Sequence, residues 1–334
     1  MKKLIALTLA CVMVLSVLAG CASGTPSGDK TAASELTVAL VVAGAFGDRS
    51  FYDSSKAGCD KLAAEGIQIK SIECKNENHT QQIYNAADSA DVVILVGWEF
   101  YDVESVAPEY PAKRFIWIDN ATSTDVANVL NITYAQNEGS FLAGYIAAKT
   151  STTGIIGAVG GEDSATINDF IVGYKQGAQY ANPNIDVQVQ YSNTYDDPAV
   201  GKECALTLNE KGADVVFQIA SKCGDGVFEA AKEKGFYAIG VDSDQKYIDP
   251  EVIICSMCKN VGDSIYDAVN QYVAKGDDCG LWGTTWVADM KTGYVGIGYG
   301  EEGAPQQVSD DVKAEVEALS RKIVSGEIQV DSTR

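Results

Sequence analysis

The 334-residue sequence predicts an α/β protein built as two Rossmann-like lobes joined by a hinge. Three observations lead there. Short apolar, β-branched runs alternate with stretches of helical spacing, as in parallel sheets with helices on both faces. The alternation passes through two successive blocks. Strand and helix patterns remain after the second block, so the chain has to cross back between lobes, around a cleft at the carboxyl ends of the strands.

The elements follow in order. Lys2 and Lys3 precede an apolar stretch, residues 4–18, broken only by Thr8, Cys11 and Ser16. It is too short to span a bilayer and suits the apolar core of a secretory signal. Leu18-Ala19-Gly20-Cys21 resembles the bacterial lipobox, in which cleavage precedes the cysteine and its sulfur is diacylated. Residues 1–20 are therefore expected to be a signal peptide, and residues 21–35 a lipidated Cys21 followed by a flexible Ser/Gly/Thr/Ala-rich tether. That places the protein on the extracytoplasmic face of the cell membrane.

The first block carries candidate strands at 36–42, 67–72, 92–96, 115–118 and 129–132, with a helix at 54–65. A helix at 138–149 leads to a second block of three or four strands, at 155–159, 187–191, 215–219 and 237–241, and a further candidate strand lies at 252–255. Residues 260–275 place Val261, Ile265, Ala268, Val269, Tyr272 and Val273 on one stripe, with Asp263, Asp267 and Asn270 opposite. That is a helix laid on a sheet. A Gly-rich strand region at 293–300 and a helix at 310–325 end the pattern. The lobes are expected to comprise 36–137 plus about 259–286, and 138–258 plus about 287–330.

Composition narrows the function. The formal charge is −21, and −23 once residues 1–20 are removed, which argues against nucleic acid and against docking on anionic lipid. Seven cysteines follow Cys21: Cys59, Cys74, Cys204, Cys223, Cys255, Cys258 and Cys279. They read as small buried hydrophobes or as one or two disulfides. Cys255 and Cys258 form the one C-x-x-C, and His79 is the sole histidine, so zinc lacks a ligand set. His79 reads as a loop or helix-start residue. Gly298-Tyr-Gly300-Glu-Glu-Gly303 matches G-x-G-x-x-G but opens no βαβ unit, so it reads as a turn. No phosphate loop or nucleophile elbow is present, and no enzyme activity, cofactor or metal is expected.

The strand ends offer a binding set. Asp48, Phe51 and Tyr52 follow the first strand, Trp98 the third, and Asp119 the fourth. Phe170 follows the first strand of the second block, Phe217 lies in the strand at 215–219, Asp242 follows the next, and Lys259 follows Cys255. A nucleoside needs these chemistries. Aromatic faces stack the base, carboxylates accept from its edge, and a carboxylate with an ammonium holds the ribose diol. Phe51 and Phe170 are candidates to stack, Asp48 and Asp119 to read the edge, Asp242 and Lys259 to hold ribose. Plainer roles stay open. Asp48 could cap a helix, Phe217 could be core, Trp98 could cover a sheet edge, Asp242 could be a turn residue and Lys259 could be solvated. The residues alone establish a binder of a small polar solute, such as a nucleoside or a sugar; a surface sensor or adhesin is a further alternative.

Several ordered motifs resemble the basic membrane protein family, the nucleoside-binding lipoproteins of ABC importers. Gly47-Asp48-Arg49-Ser50-Phe51-Tyr52 is similar to the family's Asp-Lys-Ser-Phe-Asn loop, and residues 138–148, EGSFLAGYIAA, to its hinge-region helix. Tyr195-Asp-Asp-Pro-Ala199, Gly212-Ala-Asp-Val-Val-Phe217, Ile239-Gly-Val-Asp-Ser-Asp-Gln245 and Lys259-Asn-Val261 follow in the expected order. The resemblance implies a type I periplasmic-binding fold, a monomer, purine nucleoside ligands, and delivery to a membrane permease and its ATPase. It implies base-edge contacts at Asp48 and Asp119, stacking at Phe51 and ribose contacts at Asp242 and Lys259. Tyr52 stands where the family has Asn, Trp98 where it has a smaller or phenyl residue, and Ser221-Lys222-Cys223 where it has a Gly-rich stretch.

Overall fold

Two six-stranded sheets organise the chain in a computed structural model that describes residues 36–120 and 122–333. The expected signal peptide, Cys21 and the tether lie outside the described residues. The first sheet contains β1 (Thr37–Val42), β2 (Gln68–Glu73), β3 (Val92–Val96), β4 (Arg114–Ile118), β5 (Val129–Tyr134) and, much later in the chain, β11 (Thr284–Ala288). Its order is β11-β5-β4-β3-β1-β2, parallel throughout. The second contains β6 (Ile155–Gly160), β7 (Asp186–Tyr191), β8 (Val215–Ile219), β9 (Tyr237–Asp242), β10 (Ile253–Lys259) and β12 (Val295–Gly298). Its order is β12-β10-β9-β8-β6-β7, parallel except for the antiparallel β10–β12 pair.

The helices are α1 (Phe51–Ala64), α2 (His79–Ser89), the short α3 (Val103–Val106), α4 (Gln136–Thr150), α5 (Ala165–Ala181), α6 (Pro198–Glu210), α7 (Gly224–Lys234), α8 (Val261–Lys275) and α9 (Asp310–Val324). Strand alternation sends side chains to opposite layers. Val38, Leu40 and Val42 of β1 join the cluster under α1 and α8, while Ala39 and Val41 join the one under α2 and α3. In the second lobe, Val215, Phe217 and Ile219 of β8 face α4, α5 and α9, while Val216 faces α6 and α7. Phe217 is thus fully buried core beside Phe170 and Tyr174. This corrects its assignment as a ligand contact: the pleat turns it into the layer beneath the helices.

The chain crosses between lobes between Tyr134 and Gln136, between Lys259 and Val261, and between Ala288 and Val295. The crossings are bonded to one another. Ala135 N–H donates to the Ala288 carbonyl at 3.0 Å, and Asn260 N–H to the Tyr294 carbonyl at 2.8 Å. Met290 N–H donates to the Glu138 carboxylate at 2.9 Å. β11 is the strand the sequence did not announce. Its residues Thr-Thr-Trp-Val-Ala form a half-exposed edge with one neighbour, β5, and carry no apolar run. The run 298–303 is the end of β12 and a turn, with φ of +85° at Gly300 and +89° at Gly303.

The seven cysteines of the described residues are free thiols. His79 opens α2, its ring edge-on to Phe100. Among the described residues, no helix is long and apolar enough to cross a membrane.

Candidate functional site

Four strands that border the cleft end in a backbone turn that a carboxylate, a serine or a glycine can make. Asp119 follows β4 with φ +67°, Asp242 ends β9 with φ +63°, Ser221 follows β8 with φ +50°, and Gly97 follows β3 with φ +128°. Left-handed φ is tolerated by Asp better than by most residues, and it swings a side chain off the sheet into the space beyond. Strain of this kind gathers at functional sites.

The loop after β1 is built by two aspartates. Asp48 accepts from the N–H groups of Ser50, Tyr52 and Asp53 at 3.1, 3.0 and 3.0 Å. Asp53 accepts in return from Gly47 and Arg49, both at 2.8 Å. These bonds satisfy the amino end of α1 and fix Phe51 and Tyr52 at the cleft. From the other lobe, Ser164 caps α5, whose first turns carry Thr166, Ile167 and Phe170.

The two lobes enclose about 710 Å3 of empty space, counting its solvent-facing mouth, within the size range of small-molecule sites. Of the residues singled out in the sequence, Phe51, Tyr52, Trp98, Asp119, Phe170, Asp242 and Lys259 line this one cavity. Asp48 does not line it; it caps α1 and accepts from Ser221 of the opposite lobe at 2.9 Å. Phe217 lies in the core behind Phe170. Glu99, Tyr195, Ser164, Thr166 and Ile167 line the cavity without having been singled out. Glu99 was open to the rule that found the others, since it sits in the turn just after β3.

Lys259 is the buried cation of the cleft. Its Nζ lies 2.6 Å from Asp119 Oδ2 and 4.9, 5.1 and 5.2 Å from the ring centres of Phe51, Phe170 and Tyr134. A cation held between ring faces and a carboxylate is favourable when desolvated. Asp242 accepts a short hydrogen bond from Ser50 Oγ across the lobes. Burial pushes its carboxyl up to about 6, although Lys259 and Ser50 pull it down. Burial also raises Asp48, against four hydrogen bonds that lower it. Glu99 is pushed up to about 7 by burial, with Glu162 and Asp119 adding to the rise.

The cleft is shut. Besides the Ser221–Asp48, Ser50–Asp242 and Lys259–Asp119 bonds, Gln245 donates to the Arg49 carbonyl at 2.9 Å and Asn76 to Asp196 at 2.9 Å. Arg49 pairs with Asp225 at 2.6 Å. Three carboxylates line the cavity against one ammonium, so it suits a neutral, donor-rich solute and repels an anion.

The family model described as "ABC transporter substrate-binding protein PnrA-like" matches residues 35–334. The chain is 33% identical over 316 residues to Basic membrane protein A of Borreliella burgdorferi, covering 92% of this chain and 91% of that protein. It is 35% identical over 260 residues to Basic membrane protein D of the same species, 75% of each chain. Among solved structures, an ABC transporter solute-binding protein from Aeropyrum pernix K1 superposes with a TM-score of 0.78 at 28% identity, over 88% of this chain and 92% of that one. The fold is of the type I periplasmic solute-binding kind, and the chain belongs to the PnrA-like family of ABC transporter substrate-binding proteins.

Proposed function

We propose that this protein captures a nucleoside, a purine nucleoside foremost, and hands it to the permease and ATPase of an ABC importer. One observation carries the reading: Phe51 and Phe170, from opposite lobes, face one cavity whose polar groups are Asp119, Asp242 and Lys259. Rings from both lobes suit a heterocycle once Lys259, whose ammonium lies over both, swings toward the sugar, and the acid–ammonium cluster suits a vicinal diol. The excess of carboxylates disfavours nucleotides. Lobe closure is the signal that the permease reads, since contacts from both halves are complete only when the cleft is shut.

Calorimetry with guanosine, adenosine, inosine and uridine tests this. At least one purine nucleoside should bind, and Phe51→Ala should weaken it by about 1–3 kcal/mol, the worth of one stacked ring. Absence of heat with all four would sink the reading. We propose also that Cys21 carries the acyl anchor. Labelling with a fatty-acid analogue should mark the protein, and Cys21→Ala should abolish the label; an equally labelled variant would refute the anchor.

A further inference from the structure

We infer that Glu99 reads the hydrogen-bonding edge of the base and selects a 6-oxopurine carrying adjacent N–H donors, guanosine above all. The inference rests on the nucleoside reading and adds to it a ligand preference and the residue that sets it. Three observations place Glu99. It lines the same cavity as Phe51 and Phe170. Its Oε2 is buried with no hydrogen-bond partner, a costly condition that a ligand donor would relieve. Room for that oxygen is made by Gly97, where a Cβ would stand 2.2 Å from Oε2 and where φ is +128°.

The cavity has two polar ends. Asp242 feels the charges of Lys259, Asp48 and Asp119, whereas Glu99 feels those of Glu162 and Asp119. Sheet order separates the two: Asp242 and Lys259 end β9 and β10, whereas Glu162 and Tyr195, which interact with Glu99, follow β6 and β7 on the other side of the second sheet. Tyr52, Tyr195 and Cys74 are the other titratable groups near Glu99. Among the described residues, no cation lines this end of the cavity; Glu99's own backbone N–H donates to its carboxylate, and Oε2 is left for a donor on the ligand. With a sugar at the Asp242–Lys259 end, the base edge reaches Glu99. Guanine presents N1–H and an amino group side by side, which two carboxylate oxygens accept together. Adenine presents one donor and one acceptor there.

Because burial holds the Glu99 carboxyl near 7 in the closed cleft, guanosine taken up by that form releases a proton. The affinity of guanosine then rises from pH 6 to pH 8, by up to about tenfold where the free protein is closed and by less where it is open, beyond any change that Asp242 contributes. Calorimetry on the full mature protein tests this with guanosine and 1-methylguanosine at both pH values, for the wild type and Glu99→Gln. The wild type should bind 1-methylguanosine at least about tenfold more weakly than guanosine. The variant should lose most of both the pH step and that discrimination. Guanosine bound alike by wild type and Glu99→Gln at both pH values would overturn the inference, as would 1-methylguanosine bound as tightly as guanosine by the wild type, a result independent of how the variant folds. If the wild type binds no nucleoside at all, the nucleoside reading fails and the inference falls with it.

Discussion

Asp242 shows how a single carboxyl can serve binding at the expense of stability. Its folded pKa of about 6 lies above the ordinary value of 3.8, because burial outweighs Lys259 and Ser50. The folded protein therefore holds this proton more tightly than the unfolded chain. Stability from this group falls as pH rises from about 4 through 6, and the full cost, on the order of 1–3 kcal/mol, is present at pH 7 and above. Asp242→Asn should flatten that slope. In thermal melts the variant should gain on the wild type as pH rises from 4 to 7, while losing ligand affinity; parallel pH profiles would contradict this. Asp242 was legible in the sequence because it ends an apolar run. Phe217 misled because it lies inside its strand, two residues before the end, where the pleat decides direction. Asp48 stood at the right loop, but its oxygens are taken by the amino end of α1 and by Ser221.

Pairs of helices are locked by backbone contact. α4 and α5 touch through glycines: a Cβ on Gly177 would lie 1.8 Å from the Phe141 carbonyl oxygen, one on Gly173 2.1 Å from that of Asn137, and one on Gly144 2.0 Å from that of Tyr174. The helix that leads into the second lobe is thereby pinned to the one that carries Phe170. Gly177→Ala would gain helix propensity and still destabilise the protein by about 1–3 kcal/mol through overpacking. Urea unfolding measures this; an unchanged midpoint would mean that the two helices separate freely. Most strands were legible because buried parallel strands are apolar runs, the edge strands β2 and β7 because their apolar residues alternate, and all ten expected ones fall within a few residues of the observed bounds. β11 was not, because Thr-Thr-Trp-Val-Ala has neither an apolar run nor a clear alternation. Glu99 was missed although it shares its turn after β3 with Trp98, because a lone acid beside an aromatic reads as solvent-facing until the turn is seen to aim it.

Closure gathers like charges. Asp119, Asp242 and Glu99 line the shut cavity with Asp48 nearby, and Lys259 is the cation among the lining residues. Six polar bonds across the lobes, from Arg49–Asp225 to Asn76–Asp196, hold the halves together against that repulsion. Arg49 is 40% exposed, so its pair is worth less than about 1 kcal/mol. Opening returns the cavity carboxyls to water and lowers their pKa values toward the ordinary range. The closed form therefore binds more protons than the open form between about pH 4 and pH 7, and lowering the pH shifts the population toward closed. A neutral ligand that donates hydrogen bonds to the same oxygens has the same effect at higher pH. Small-angle scattering without ligand should show a smaller radius of gyration at pH 5.5 than at pH 8, and a nucleoside should restore the compact value at pH 8. The double variant Glu99→Gln, Asp242→Asn should be insensitive to pH over this range. If the wild-type curves at pH 5.5 and pH 8 superimpose, carboxyl burial does not govern closure, and the lobes are held by the interlobe bonds alone.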